Sequence, residues 1–141
     1  MLVAGVAGLG VPVGVNVLRN DALAALGIAA ATGARFIRVN VLTGLMYTDQ
    51  GPITGKAAEV ARARSRLAPD VEIWADVLVK HAVAPPGSDI RQMARDTIER
   101  GGADALIMSG SGTGEGDNPN CCPMLWEVRA YSPKHNLLPV P

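Results

Sequence analysis

A short pattern that recurs along the chain constrains the fold more than any other feature. GVNVL begins at Gly14, RVNVL at Arg38 and WADVL at Trp74. In each copy apolar residues alternate with other residues, which is the period of a β-strand. A Gly-Ala dipeptide precedes residues 35–42, and another precedes residues 104–109. Aligning the two dipeptides makes DALIMS a further copy of the repeat. The repeats therefore predict related strands distributed along one domain.

Helical segments lie between the predicted strands. The strands cover 11–19, 35–42, 71–81 and 104–109, and the helices cover 22–32, 56–67 and 90–100. Asn20 and Asp21 are candidate N-caps of the first helix, which Gly33 ends, and Ser88 or Asp89 caps the last. The polar, glycine-containing segment 43–55 is predicted to be a long loop. Strands that alternate with helices predict an α/β fold with a parallel sheet.

Aligning the repeats places one polar residue at the same inward position of each strand. These residues are Asn16, Asn40, Asp76 and Ser109. The apolar alternates are then expected to face the helices. A repeated polar layer near the carboxyl ends of the strands favours a βα barrel over a flat, doubly wound sheet.

Composition narrows the classes of function. Hydrophobic residues make up 48% of the 141 residues, and 13 basic residues balance 13 acidic ones. The net charge of zero gives no electrostatic argument for a nucleic-acid partner. No apolar run is long enough to span a membrane, and the apolar start lacks the basic region of a signal peptide. The vicinal Cys121 and Cys122 imply no disulfide framework, so the expected location is the cytoplasm.

The last part of the chain departs from the pattern. Residues 117–141 are rich in proline and are predicted to be an irregular tail, separate from a partial barrel at 1–116. Cys121, Cys122 and His135 lack the paired spacing of a zinc site, so no metal centre is predicted.

Three chemically active residues stand near the end of the strand at 71–81. Asp76 and Lys80 are predicted to share one strand face, and His81 begins the next loop. A carboxylate, an amine and an imidazole can serve as general base, electrophile and proton shuttle, so these three are the candidate catalytic residues. A structural Asp–Lys ion pair inside the barrel is the alternative.

Candidate substrate-binding residues come from the other units. Asn16 and Asn40 can offer amides to a ligand, although satisfied polar plugs of the interior are an equal alternative. Thr43 and Asp49 lie on the long segment, where Asp49 is either an acid in a lid or a solvated loop residue. Asp49 with Asp76 is weak evidence for a divalent cation.

The glycine-rich segment after the last strand is a candidate ligand loop. Ser109, Ser111 and Thr113 lie in or beside the run GSGTG, whose backbone amides can face an anion. No Gly-Lys-Ser/Thr follows, and Glu115 occupies the place of the third glycine of a dinucleotide-binding motif. A flexible substrate loop is therefore favoured over a nucleotide site.

Several long blocks together resemble the BtpA/SgcQ family. They are GVNVLRNDALAALGIAAATGARFIRVNVLTG, TDQG, ADVLVKHA and ADALIMSGSGTG, in this order. The resemblance covers about 11–116 and implies a (βα)8 TIM barrel of the ribulose-phosphate-binding type. It also implies a phosphorylated small-molecule ligand, and no particular cofactor. The family takes its name from a member needed for biogenesis of photosystem I, which would place the protein at a membrane periphery.

The chain matches only the middle of such a barrel, about four βα units. Three hypotheses about function follow from the resemblance: a barrel protein that assists assembly of a membrane complex, an enzyme acting on a phosphorylated sugar- or nucleotide-like molecule, or an inactive fragment. Exposed strands at both sheet edges predict self-association with another copy.

Overall fold

The computed structural model describes residues 2–7 and 10–108. A four-stranded parallel sheet has the order β1-β2-β5-β7 and consists of β1 (Gly14–Val15), β2 (Phe36–Val39), β5 (Glu72–Val77) and β7 (Ala105–Met108). This order confirms the α/β class and the parallel pairing of the repeats. It agrees with consecutive units of a barrel.

The helices alternate with these strands. They are α1 (Leu2–Ala7), α2 (Ala22–Thr32), α3 (Ala57–Leu67) and α4 (Ile90–Arg95), which continues as a π-helix at Asp96–Arg100. The predicted bounds of α2 are confirmed, with Asp21 accepting a hydrogen bond from the amide of Ala24 and Gly33 in the left-handed region. A regular α-helix over all of 90–100 was wrong, because its second half follows π-helical geometry.

The core lies between the sheet and the helices. On β2 and β5 the alternates Ile37, Val39, Ile73 and Ala75 are at most 2% exposed. They pack with a stripe of α2 and with two residues of α3, namely Ala25, Leu26, Ala29, Val60 and Ala63. The small residues of α2 let the helix approach the sheet closely. The prediction that the apolar alternates face the helices is confirmed.

The segment 43–55 is a β-hairpin, and its prediction as a loop was wrong. β3 (Leu45–Thr48) pairs antiparallel with β4 (Gly51–Thr54) and also with β6 (Ala82–Val83), forming a second sheet of order β4-β3-β6. Residues 45–48 alternate in burial, and Gly51 with φ of 105° closes the turn. The hairpin thus joins the segments that follow β2 and β5.

The strands are also shorter than predicted. β1 covers two residues of 11–19, and β5 ends at Val77 rather than at 81. β1 and β7 are the outer strands of the parallel sheet in the described part of the chain. Pairing of these edges with a second copy stays a prediction.

Candidate functional site

The candidate site lies where β2 and β5 end. Val39 is paired with Ala75 in the parallel register, and the same register carried forward places Asn40 beside Asp76. Their side chains are hydrogen-bonded, with 2.9 Å between Asn40 Nδ2 and Asp76 Oδ2. The predicted equivalence is therefore confirmed by contact for Asn40 and Asp76. It was wrong for Ser109, because the register of β5 with β7 pairs Asp76 with Ile107.

Asp76 is held by a third residue of the same face. Arg38 donates from Nε to Oδ1 and from Nη2 to Oδ2, both at 2.9 Å. The side chain of Asp76 is 0% exposed, whereas that of Arg38 is 34% exposed. Such a bidentate contact is among the stronger and more directional ion pairs. Asp76 thus has a cationic partner, which is Arg38 and not the Lys80 of the alternative interpretation.

Asn40 is buried, and the oxygen of its side-chain amide is not hydrogen-bonded to any described residue. Its Oδ1 has no hydrogen-bond partner among the described residues, although the residue is only 8% exposed. An ionised carboxylate can only accept hydrogen bonds, so the amide nitrogen has to face Asp76 and the oxygen has to face elsewhere. Leaving a buried acceptor unpaired costs about 1–3 kcal/mol. A ligand that donates a hydrogen bond would recover this energy.

A carboxyl-edge cleft of about 530 Å³ opens beside this network. It is lined by residues that follow β1, β2 and β5 and by one hairpin residue, namely Asn16, Leu18, Arg19, Arg38, Asn40, Gln50, Val79, Lys80 and His81. Four of the predicted site residues are therefore brought together: Asn16, Asn40, Lys80 and His81. Asn16 is exposed, and the β1–β2 register carried forward sets it beside Arg38. Its predicted equivalence with Asn40 was therefore wrong.

Lys80 and His81 reach the cleft from a turn. The predicted shared strand face of Asp76 and Lys80 was wrong, because β5 ends at Val77. Leu78 and His81 both have φ of 58°, and residues 80–81 form a turn before β6. The turn places Lys80 on the cleft, half-buried. The ion pairs of the described residues do not include its ammonium group.

Asp49 lies in the hairpin turn and binds Arg19. Arg19 Nη1 donates to Asp49 Oδ1 at 2.7 Å, with the Asp49 side chain 69% exposed. The hydrogen bond and the charge of Arg19 hold the pKa of Asp49 below its usual 3.8. The contact links the hairpin to the segment after β1. The prediction of Asp49 as an acid in a lid remains untested.

The other predicted binding residues lie away from the cleft or outside the described residues. Thr43 shares a hydrogen bond of 2.9 Å with Thr97 of the π-helix, so its hydroxyl has a protein partner. Ser109, Ser111 and Thr113 lie outside the described residues, as do the glycine-rich loop and the tail 117–141.

Sequence reasoning missed two residues that organise the site. Arg38 precedes Asn40 by two residues on the same strand face, and this spacing was the available signal. Asn20 was expected to be a cap but makes two hydrogen bonds with Val41. Asn20 Nδ2 donates to the Val41 carbonyl at 2.9 Å, and the Val41 backbone amide donates to Asn20 Oδ1 at 2.8 Å. Asn20 therefore fixes the segment that carries Asn40, while Asp21 alone caps α2.

The fold and the cleft define an α/β protein with a polar site at the carboxyl ends of parallel strands. The model of the BtpA family matches residues 4–122. The chain is 58% identical over 107 residues to the photosystem I biogenesis protein BtpA of Synechocystis, covering 76% of this chain and 37% of that protein. The chain belongs to the BtpA family.

Other relatives extend the comparison. An uncharacterized protein of Thermococcus kodakarensis is 55% identical over 103 residues, covering 73% of this chain and 39% of that protein. The putative sgc region protein SgcQ of Escherichia coli is 36% identical over 101 residues, covering 71% and 37%. The chain thus spans less than half the length of these relatives. No solved structure matches it significantly.

None of the helices in residues 2–7 and 10–108 has the length and apolar character that crossing a bilayer requires. The same residues contain no cluster of three or more His, Cys, Asp or Glu side chains arranged to hold a metal ion.

Proposed function

We propose that the carboxyl-edge cleft binds a small anionic molecule, and that the family acts on such a ligand in a complete βα barrel. The observation that carries the proposal is the charge of the cleft lining. Arg19, Arg38 and Lys80 all line it. Asp49 neutralises the first and Asp76 the second, so the ammonium of Lys80 is available for an anion such as a phosphate group.

The position of the cleft supports the same proposal. In βα barrels ligands and catalytic groups gather at the carboxyl ends of the strands. Here Asn40 follows β2, and Lys80 and His81 follow β5. The four parallel strands would be consecutive units of a (βα)8 barrel. A sugar- or nucleotide-like phosphate suits a site that combines an ammonium with amides.

The contacts also divide the roles of the proposed catalytic residues. Asp76 accepts three hydrogen bonds from Arg38 and Asn40 and is inaccessible, so it would position these two residues. Lys80 and His81 lie on the cleft itself, where an amine and an imidazole can meet a ligand. Proton transfer in a complete relative would therefore fall to Lys80 and His81.

The test is a calorimetric titration of the full chain with D-ribose 5-phosphate. We expect saturable binding that weakens about tenfold in Lys80→Ala, since one charged contact is lost. Lys56→Ala is the matched control: it removes the same charge at the N-cap of α3, and Lys56 is not part of the cleft lining. Absence of binding, or an equal loss in both variants, would contradict the proposal.

A second candidate function is assistance in assembling a membrane complex. It is favoured by the 58% identity to a protein named for photosystem I biogenesis. Under this proposal the chain would act at the membrane periphery without crossing the bilayer. Exchanging the corresponding segment of the Synechocystis protein for residues 11–116 of this chain tests the idea. Normal photosystem I content is expected, and a photosystem I level equal to that of a deletion strain would argue against it.

A further inference from the structure

We infer that Asn40 selects ligands that carry a hydroxyl group, through its side-chain oxygen, and that Arg38 and Asp76 are positioning residues for this selection. The inference rests on the proposed ligand function of the carboxyl-edge cleft and names a chemical requirement of the ligand. It starts from the unpaired Oδ1 of Asn40, a buried atom of a residue that lines the cleft.

The orientation of the Asn40 amide follows from the chemistry of its partner. Nδ2 donates to Asp76 Oδ2. The reversed amide would set its oxygen against an ionised carboxylate, and two acceptors repel each other. Arg38 in turn holds both oxygens of Asp76 and so fixes the carboxylate that fixes Asn40. The remaining polar atom of Asn40 is therefore an acceptor and never a donor.

An acceptor in this position discriminates between ligand groups. A hydroxyl or an N–H can donate to Oδ1, whereas a carbonyl or phosphate oxygen would be repelled. Oδ1 is nearly inaccessible to water and has no partner among the described residues. Its donor would then be a group that enters the cleft, with a small shift of the lining side chains. Arg38 does not supply these donors to Oδ1, because its Nε and Nη2 are hydrogen-bonded to Asp76.

The two unsatisfied groups together define a ligand class. Lys80 is partly exposed on the cleft and can pair with an anion, whereas the buried Oδ1 of Asn40 can accept from a hydrogen-bond donor. One molecule that satisfies both is a polyhydroxylated anion, such as a sugar phosphate, with the hydroxyl on Asn40 and the negative charge near Lys80. The cleft of about 530 Å³ has room for a molecule of this size.

The test compares two probes that differ in their hydroxyls. D-ribose 5-phosphate and cyclopentylmethyl phosphate share a five-membered ring and a phosphate, but only the first has hydroxyl groups. We expect the full chain to prefer the sugar phosphate by about tenfold or more, because a site built to bond a hydroxyl rejects an analogue without it. Asn40→Ala should bring both probes to similar affinity.

A second variant keeps the test decisive if Asn40→Ala does not fold. Arg38→Lys keeps the positive charge but loses the bidentate hydrogen bonding to Asp76. It should reduce the preference for the sugar phosphate while the affinity for cyclopentylmethyl phosphate stays within about twofold. A merely structural role of Arg38 would weaken both probes alike, which would overturn the positioning claim.

The outcomes separate this inference from the proposed function. Equal binding of both probes by the unmodified chain overturns the inference and leaves the anion site standing. Binding of neither probe overturns both. Retention of the full preference in a folded Asn40→Ala variant also overturns the role of Asn40.

Discussion

The two faces of β2 and β5 make opposite use of the same strands. Toward α2 and α3, Ile37, Val39, Ile73 and Ala75 are closed off and purely apolar. On the other side, Phe36 stacks on Trp74 with 3.9 Å between ring centroids, and charged and amide groups follow them toward the carboxyl ends. Because side chains alternate along a strand, one residue step separates packing from polar chemistry.

The two faces contribute to different properties of this fold: one to stability and the other to the proposed binding. The apolar face needs volume and shape, so it tolerates exchange of similar aliphatic residues. The polar face needs particular atoms, since Asp76 requires three donors in place. Substitutions on the two faces should therefore alter different measurements.

The largest effect on stability is expected on the apolar face. Ile37 is 0% exposed, and Ile37→Ala should lower the free energy of unfolding by about 3–4 kcal/mol, because the cavity adds to the lost transfer energy. Ile37→Val, the matched control, should cost about 1 kcal/mol. Urea denaturation followed by circular dichroism measures both. Similar costs for the two variants would mean that the helix-facing side is not tightly packed.

Breaking the ion pair of the polar face should rank next. Asp76→Leu leaves the guanidinium of Arg38 without its carboxylate, at a cost of about 2 kcal/mol, reduced from that of a fully buried pair because Arg38 is partly exposed. The double variant Arg38→Met with Asp76→Leu should recover much of the loss, since neither charge remains. Denaturation midpoints of single and double variants measure the coupling. An uncoupled pair would show additive losses.

Asn20 offers a smaller effect outside both faces. Its φ of 62° suits glycine, so Asn20→Gly removes the two bonds to Val41 without backbone strain. The expected loss is about 1–2 kcal/mol. Asn20→Asp keeps the acceptor for the Val41 amide but sets a carboxylate oxygen against the Val41 carbonyl, so it should not restore the stability of the unmodified chain. Hydrogen exchange at the Val41 amide reports the bond directly, and unchanged protection in Asn20→Gly would contradict its role.

Acidification should give the smallest effect. Arg19 lowers the pKa of Asp49 below 3.8, so this contact stabilises the folded chain above about pH 4 and is lost as the pH falls through the lowered value. The exposed pair contributes little. Between pH 5 and 8 the chemical shift of the Asp49 carboxyl carbon should stay constant, with its titration below 3.8. Asp49→Asn should abolish this titration, and a midpoint above 3.8 would contradict the contact.

The features that could be predicted from the sequence are those that depend on neighbouring residues. Asp21 and Gly33 mark the ends of α2 because capping is decided by neighbouring residues. The alternation in each repeat predicted the strands and their core faces. The shared position of Asn40 and Asp76 follows from the repeats alone, because both residues occupy the same place in the repeated pattern.

The features that escaped prediction depend on distant parts of the chain. β3 pairs with β6, more than thirty residues later, and no local pattern reveals that partner. Leu78 adopts a positive φ that the residue type does not favour, so the end of β5 could not be placed. Arg38 pairs with Asp76 because of the register between β2 and β5. The periodicity of the sequence does not determine that register.

A nuclear magnetic resonance titration with D-ribose 5-phosphate tests most directly whether the polar face binds a ligand while the apolar face only packs. We expect saturable shifts of the Asn40 side-chain amide and of the Lys80 and His81 backbone amides. Ala25 and Leu26 on α2, both 0% exposed, should remain unchanged. Equal shifts along α2, or none at the three cleft residues, would contradict it.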